Sequence, residues 1–297
     1  MWFIHRAYEC KLKKTTHFFH PYGMLVMKNL LFAAMMLVVS LSGYAKQENV
    51  EIQGSVGQLK AVIQVPELKA EQKVPMVIIC HGFGGHKDAG LLKMISDDLE
   101  AKGIGSIRFD FNGHGESEGD FQNMTVLNEI DDAKKVYEYV RGLSYVDDIA
   151  LCGHSQGGVV TVMAAGQLGA EKVKALALLA PAAVLRDDAL KGQLMGKYYD
   201  AGNIPEYIEI FGGRKVGREY IRIAQELPIY ETAREYQGAT IILHGKADRV
   251  VPYTYATRFN EVIRYSHVKY YDKVDHIFMG FEKTISEEVT RFFEKEL

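Results

Sequence analysis

Short apolar runs alternate with amphipathic helical patterns from about residue 48 to the end of the 297-residue chain. The apolar runs lie at 74–80 (VPMVIIC), 104–110 (IGSIRFD), 149–152 (IALC), 173–180 (VKALALLA), 239–245 (ATIILHG) and 267–271 (HVKYY). The helical patterns lie at 91–102, 128–142, 156–168, 253–263 and 281–295. Strands that are apolar throughout must be covered on both faces, and the intervening helices supply that cover. The sequence therefore predicts an α/β fold with a mostly parallel, twisted sheet, opened by an antiparallel pair around 54–57.

Composition limits the classes of partner that the chain can have. It is 47% hydrophobic and 25% charged, as globular proteins are, and its net charge is −3. Its basic residues are scattered, so nothing in the sequence predicts a nucleic-acid partner. The length allows one large α/β domain or two small ones.

The sequence near the N-terminus has the pattern of a targeting segment. From Met27 a short basic start is followed by an apolar run to Leu41 and by small residues ending at Ala45. This pattern predicts a signal peptide at 27–45, cleaved after Ala45, and a secreted or periplasmic protein with no stable membrane anchor. Residues 1–26 are expected to be an upstream extension before the true start. The mature domain then covers 46–297.

Two cysteines lie in that domain, and each ends an apolar run. Cys80 and Cys152 are expected to be small buried hydrophobic residues, with a disulfide left open because their strands could be neighbours. The sequence carries no CxxC, HExxH or GK[ST] motif, so neither a metal nor a phosphate-binding loop is predicted. His81, His86 and His114 are spaced poorly for a metal.

One segment interrupts the alternation of strands and helices. Residues 181–232 are rich in glycine and tyrosine and show no clear strand–helix unit. Long insertions inside compact domains are often binding loops, and ligands bind at the carboxyl edge of α/β sheets. The segment is predicted to be an inserted lid. The alternative is a surface subdomain without a role in binding.

The stretch GHSQG places Ser155 between an apolar run and a helical pattern. A strand, a sharp turn that carries serine and a following helix are typical of a nucleophile elbow. Side chains at Gly153 and Gly157 would collide with the turn and the packed helix. We therefore predict that Ser155 is a nucleophile.

A serine hydroxyl needs a base, and the base needs an acid to orient it. Of the 10 histidines, His276 is the best candidate base because it follows the last predicted strand. Asp248 lies in the turn after the preceding strand, which gives the order serine, acid, histidine. Asp272 and Asp275 are rivals for the acid, although Asp275 is the immediate neighbour of His276 and would struggle to reach its ring.

Acyl transfer also requires donors for the oxyanion. The glycine-rich stretch CHGFGGHKD (80–88) follows a central strand and exposes backbone amides. The predicted donors are the N–H groups of Phe83 and Gln156. His81 and His154 are expected to order nearby loops.

The motifs HGFGG, DFNGHGESEG, GHSQGG and HGKADRVVP, with the late Asp-His, resemble the α/β-hydrolase superfamily over nearly all of residues 50–297. The ends of the insertion, APAAVLRDDALKG and YIRIAQELPIYE, are most similar to those of cinnamoyl (feruloyl) esterases. That resemblance implies a cofactor-free serine esterase with a lid over the acyl pocket. It also implies that Asp188, beside Asp187, and Tyr220 hold the phenolic hydroxyl. Met195 stands where a polar residue such as glutamine is expected.

The resulting prediction is an exported esterase that cleaves hydroxycinnamoyl esters, small or oligosaccharide-linked, from plant cell-wall material. A general carboxylesterase or a monoacylglycerol-type lipase is the second reading. A serine aminopeptidase is the third, with Asp187, Asp188 or Glu206 as the group that would hold a free α-amine. A non-catalytic binding protein is the fourth, and a homodimer is left open.

Overall fold

The computed structural model describes residues 46–297, so the predicted signal peptide at 27–45 and the extension at 1–26 lie outside the described residues. An eight-stranded sheet crosses the molecule in the order β1-β2-β4-β3-β5-β6-β11-β12. The strands are β1 Lys46–Gln53, β2 Gln58–Val65, β3 Val74–Cys80, β4 Gly105–Phe109, β5 Val146–His154, β6 Ala175–Leu179, β7 Gln193–Leu194, β8 Lys197–Tyr198, β9 Tyr207–Glu209, β10 Lys215–Gly217, β11 Ala239–Gly245 and β12 Ser266–Tyr271. The helices are α1 Gly90–Glu100, α2 Val126–Arg141, α3 Gln156–Leu168, α4 Val184–Lys191, α5 Arg218–Glu226, α6 Ile229–Glu235, α7 Thr254–Val262 and α8 Glu282–Glu296.

The sheet is parallel from β4 to β12, and β2 joins it antiparallel to both β1 and β4. The predicted antiparallel opening pair and mostly parallel sheet are therefore confirmed. The bounds of β3, β11 and α3 are those predicted, because an unbroken apolar run or a flanking glycine marks each end. β5 is longer than the predicted 149–152, because the two aspartates after Val146 interrupt the apolar pattern at its start.

Helices cover both faces of the sheet. On one face α1 and α8 pack over Val77, Ile79 and Cys152, and on the other α2 and α3 pack over Ile78 and Cys80. Cys80 and Cys152 are therefore buried on opposite faces, and both are free thiols. The disulfide that the sequence left open does not form. Cys152 pairs with Ile79 in the sheet, and Cys80, the next residue along β3, points to the opposite face.

The insertion between β6 and β11 has regular structure that its sequence did not reveal. It contains α4, the hairpin β7–β8, the antiparallel pair β9–β10 and α5. Arg214 ties it to the rest of the domain, because its Nη1 donates to the carbonyl of Gly84 over 3.1 Å. The following helix, α6, packs on α3, where Gly166 leaves room for the backbone of Thr232.

The tyrosines of the insertion differ in how deeply they are buried. Tyr199 is partly buried and donates to the carbonyl of Ala189. Tyr198, however, is 80% exposed, and Tyr207 is also exposed, with the Lys215 ammonium 4.1 Å from the centroid of its ring. Within residues 46–297, no helix is both long enough and apolar enough to cross a membrane.

Candidate active site

Ser155 lies in a sharp turn between β5 and α3. Its φ is +58°, in a region that non-glycine residues rarely occupy, at a cost on the order of 1–3 kcal/mol. The chain can close this tightly because of its flanking glycines. A Cβ at Gly153 would lie 2.2 Å from the carbonyl oxygen of Gly157, and one at Gly157 would lie 2.3 Å from that of His81. The turn raises the hydroxyl at the carboxyl edge of the sheet, at the N-terminus of α3.

The structure brings Ser155, His276 and Asp248 into one hydrogen-bonded chain. Ser155 Oγ lies 2.9 Å from His276 Nε2, and His276 Nδ1 lies 2.7 Å from Asp248 Oδ2. Because the ionised carboxylate can only accept, the proton of the neutral ring lies on Nδ1 and Nε2 is free to accept from the serine. The loop that carries His276 is held by His154, whose Nε2–H donates to the carbonyl of His276 over 2.9 Å.

The Asp248 carboxylate receives more donors than the base alone. Its Oδ1 accepts from the backbone N–H groups of Val250 and Val251, each over 2.8 Å. Its Oδ2 also lies 3.1 Å from His244 Nε2. These hydrogen bonds, with the adjacent His276, hold the pKa of Asp248 well below its usual range despite burial.

The rival carboxylates are engaged elsewhere. Asp275 Oδ1 accepts from the backbone N–H of Met279 over 2.9 Å, and Asp272 pairs with Lys246 over 2.7 Å at the surface. Neither contact involves the ring of His276. Of the three aspartates considered in the sequence, Asp248 is therefore the one that orients the histidine.

The loop after β3 presents backbone amides to Ser155. Two buried histidines fix it: His81 Nε2 accepts from the N–H of Phe111 over 3.0 Å, and His114 Nε2 accepts from the N–H of Gly84 over 3.1 Å. Burial lowers the pKa of His81 to about 3, so this ring is neutral. Within residues 46–297, the N–H groups of Phe83 and Gln156 donate to no acceptor, as predicted oxyanion donors should.

A cavity of about 370 Å³, here called the inner cavity, opens from Ser155 beneath the insertion. Phe83, Gln156, Asp188 and Tyr220 all line it. Burial raises the pKa of the Asp188 carboxyl, with Lys191 opposing that effect. The two residues predicted to bind substrate therefore face the same cavity as the serine.

Tyr220 belongs to a buried hydrogen-bonded relay of three side chains. Gln156 Nε2 donates to Glu129 Oε2 over 2.7 Å, which turns the amide oxygen of Gln156 towards Tyr220. That oxygen accepts the hydroxyl proton of Tyr220, also over 2.7 Å. Since its single proton is used in this way, the Tyr220 hydroxyl can offer only a lone pair to a ligand.

A second cavity, here called the histidine-side groove, meets the first at Ser155. It has a volume of about 780 Å³. Its walls include His276, Ile277, the loop 82–85 and the start of α1, through Leu91 and Met94. Phe83, Met195, Phe211 and Val250 line both cavities.

Glu129 is buried behind the inner cavity, and burial raises the pKa of its carboxyl to about 8. The charge of Asp132 adds to this rise, and the hydrogen bond from Gln156 opposes it. His114 Nδ1 lies 4.0 Å from Glu129 Oε1. The folded-state pKa is above the unfolded value near 4.5, so the folded state binds this proton more tightly. The contribution of this group to the free energy of unfolding is fully present below about pH 4.5 and is lost as the pH rises through about 8.

We expect Glu129→Gln to remove this dependence, because the amide mimics the protonated acid. Thermal unfolding of wild type and variant at intervals from pH 5 to 9 should give a Tm difference that grows in favour of the variant with rising pH. Glu138→Gln, an exposed position on the same helix, is the control and should follow the wild type. A constant Tm difference for Glu129→Gln would contradict the assignment.

The roles of four side chains in the site escaped the sequence-based reasoning. His244 was visible in the HGKAD stretch, four residues before Asp248, but a histidine within a strand carries no mark of its role. Glu129 and the side chain of Gln156 had no local signal, since the hydrogen bond between them joins positions far apart in the chain. Met195 was noted only for its apolarity, whereas its place beside Ser155 depends on the hairpin β7–β8.

Comparison with known proteins agrees with this architecture. Residues 71–201 match the family model Hydrolase_4, described as serine aminopeptidase, S33. The solved structure of Est1E from Butyrivibrio proteoclasticus with ferulic acid bound is 30% identical, with a TM-score of 0.80, over 83% of this chain and 98% of that one. A putative hydrolase from Agrobacterium vitis, 20% identical with a TM-score of 0.70, over 85% of this chain and 99% of that one, shares the fold.

Among curated proteins, human ABHD12B is 28% identical over 196 residues, which cover 64% of this chain and 50% of ABHD12B. The chain thus spans half the length of that relative, but nearly all of Est1E. With its serine, histidine and aspartate in one hydrogen-bonded chain, it is of the serine-hydrolase, esterase type. The chain belongs to the α/β-hydrolase superfamily.

Proposed function

We propose that this protein is an esterase that hydrolyses esters of hydroxycinnamic acids such as ferulate and p-coumarate. The observation that carries the proposal is the pair of acceptors in the inner cavity, the Asp188 carboxylate and the Tyr220 hydroxyl oxygen. The hydroxyl group of a phenolic acyl ring carries one proton, which it can donate to either of these acceptors. Phe83 and Tyr220, whose ring centroids lie 5.7 Å apart edge to face, suit a flat acyl group.

The proposed reaction proceeds through an acyl-enzyme. Ser155 Oγ attacks the ester carbonyl while His276 Nε2 takes its proton, and the N–H groups of Phe83 and Gln156 stabilise the oxyanion. Collapse of the tetrahedral intermediate breaks the bond to the alcohol, whose oxygen receives the proton from His276. Water then attacks the acyl-enzyme, losing a proton to His276. The second tetrahedral intermediate breaks its bond to Ser155, which takes that proton back from His276, and the acid is released.

The relatives support the chemistry of the acyl group. Est1E was solved with ferulic acid bound, and it is the 30% identical structure that spans nearly the whole domain. The relay behind Tyr220 supports the same class, because it leaves that hydroxyl as an acceptor. Export of the enzyme stays a prediction that rests on residues 27–45.

The acyl preference is tested with methyl p-coumarate against methyl cinnamate, which lacks only the ring hydroxyl. We expect kcat/KM to favour p-coumarate by about 10- to 100-fold, since the analogue leaves buried polar groups unpaired. Asp188→Ala should bring the ratio close to one by lowering turnover of the hydroxylated ester. Tyr198→Phe is the matched control, because Tyr198 also belongs to the insertion but is 80% exposed. This variant should keep the wild-type ratio of p-coumarate to cinnamate turnover.

A wild-type ratio near one would refute the phenolic assignment. A higher kcat/KM for butyrate or octanoate esters than for ferulate would favour the general carboxylesterase or lipase reading instead.

A serine aminopeptidase is the second candidate, favoured by the description of the matching family model and by a carboxylate in the cavity. Asp187 is engaged, since it accepts from the Tyr255 hydroxyl over 2.6 Å, and Glu206 is exposed. Of these three carboxylates, Asp188 is the one that lines the inner cavity. Turnover of aminoacyl p-nitroanilides above that of methyl ferulate would establish this reading.

A further inference from the structure

The two cavities at Ser155 can be assigned to the two halves of an ester. In the proposed reaction, His276 Nε2 delivers its proton to the leaving oxygen, so the alcohol departs on the side that His276 lines. His276 lines the histidine-side groove, whereas Gln156, one of the oxyanion donors, lines the inner cavity. The inner cavity therefore holds the acyl group and the groove holds the alcohol.

The walls of the groove are strongly apolar. Leu91, Met94 and Ile277 belong to it alone, and Met195, Phe211 and Val250 form its boundary with the inner cavity. Of the lining residues that the structure describes, Glu282 alone carries a carboxylate, and none is a lysine or arginine. A sugar would lose hydrogen bonds to water here without recovering them, whereas an alkyl or aryl alcohol would bury apolar surface.

The backbone at Met195 is an independent sign that this apolar wall is functional. Met195 and Gly196 form the two-residue turn of the hairpin β7–β8, with φ angles of +47° and +76°. Such turns favour asparagine or aspartate followed by glycine, because the first residue must also adopt a positive φ. Methionine is strained there, and residues held in strained backbone cluster at ligand sites.

We propose that the histidine-side groove binds the alcohol portion of the ester, and that this portion is an apolar alkyl or aryl alcohol rather than a sugar. The proposal rests on the proposed esterase function, and it names the half of the substrate that the inner cavity does not determine.

The test compares kcat/KM for methyl, butyl and octyl ferulate with that for a ferulate ester of arabinose. Each methylene that the groove buries should raise kcat/KM about three- to fourfold, so butyl ferulate, with three more methylenes, should exceed methyl ferulate by about 30- to 60-fold. The arabinose ester should be turned over no faster than the methyl ester. An arabinose ester that equals or exceeds the octyl ester would overturn the proposal.

The same alcohols are also measured as butyrate esters, which separates this proposal from the acyl assignment. If ferulates are poor substrates but the alcohol preference persists among butyrates, the acyl assignment fails and the groove assignment holds. If ferulates are good substrates without a preference among alcohols, the groove assignment fails alone.

Variants then locate the preference. Met94→Gln should reduce the octyl-to-methyl ratio about tenfold, because the longer alkyl chain loses apolar contact at that position. Met195→Asn should also reduce that ratio while leaving Tm equal or higher, because asparagine tolerates the positive φ. If Met195 had only a structural role, the octyl-to-methyl ratio would stay at the wild-type value. Leu127→Gln, an exposed apolar position on α2, is the control and should keep the wild-type ratio. Unchanged ratios in both groove variants would overturn the proposal.

Discussion

Ser155→Ala is expected to lower kcat for methyl ferulate by about 10⁴-fold or more, because no other group can form the acyl-enzyme. Substrate binding should persist, since the inner cavity and both oxyanion amides are retained. The measurement is single-turnover and steady-state hydrolysis at one pH, with labelling by a fluorophosphonate probe as a second readout. The variant should not be labelled.

Ser155→Gly is the matched variant, and it distinguishes loss of chemistry from loss of fold. The turn holds residue 155 at a φ of +58°, which glycine adopts without strain and alanine does not. Both variants should be inactive, and the glycine variant should unfold at a higher temperature than the alanine variant. Activity of Ser155→Ala within tenfold of wild type would refute the nucleophile, and with it the proposed mechanism.

Much of this fold could be predicted from the sequence, because its parallel strands are buried on both faces. Continuous apolar runs such as 74–80 and 239–245 have sharp ends, and each end gave a strand boundary. The positions of Ser155, Asp248 and His276 followed from the same pattern. Each lies in the turn or loop that follows a predicted strand, and the carboxyl ends of parallel strands meet at one edge of the sheet.

The insertion resisted prediction for the opposite reason. Its strands are two or three residues long, too short to show an alternating pattern. The turn at Met195 violates the usual turn chemistry, so no local signal marked the hairpin. The relay from Glu129 through Gln156 to Tyr220 joins three elements and becomes visible only once they are packed together.

Asp248→Asn is expected to lower kcat by about 10³- to 10⁴-fold with a much smaller change in KM. The structure gives a specific reason. The N–H groups of Val250 and Val251 both donate to Oδ1, so an asparagine at this position would keep its oxygen on that side. Its amide NH₂ would then face His276 Nδ1, which would have to accept. The imidazole proton would move to Nε2, and the ring could no longer take the proton of Ser155.

The control is Asp272→Asn, which removes an exposed carboxylate paired with Lys246 and should leave kcat and KM within about twofold of wild type. Asp248 lies behind His276 and lines neither cavity. If it orients the base, the variant should show a lower kcat. If it serves only in folding, the variant should show a lower Tm, with normal turnover by the folded fraction. Steady-state kinetics together with active-site titration separate these cases. A variant that titrates fully and turns over within tenfold of wild type would show that His276 does not need Asp248, and Asp275 would become the acid to test next.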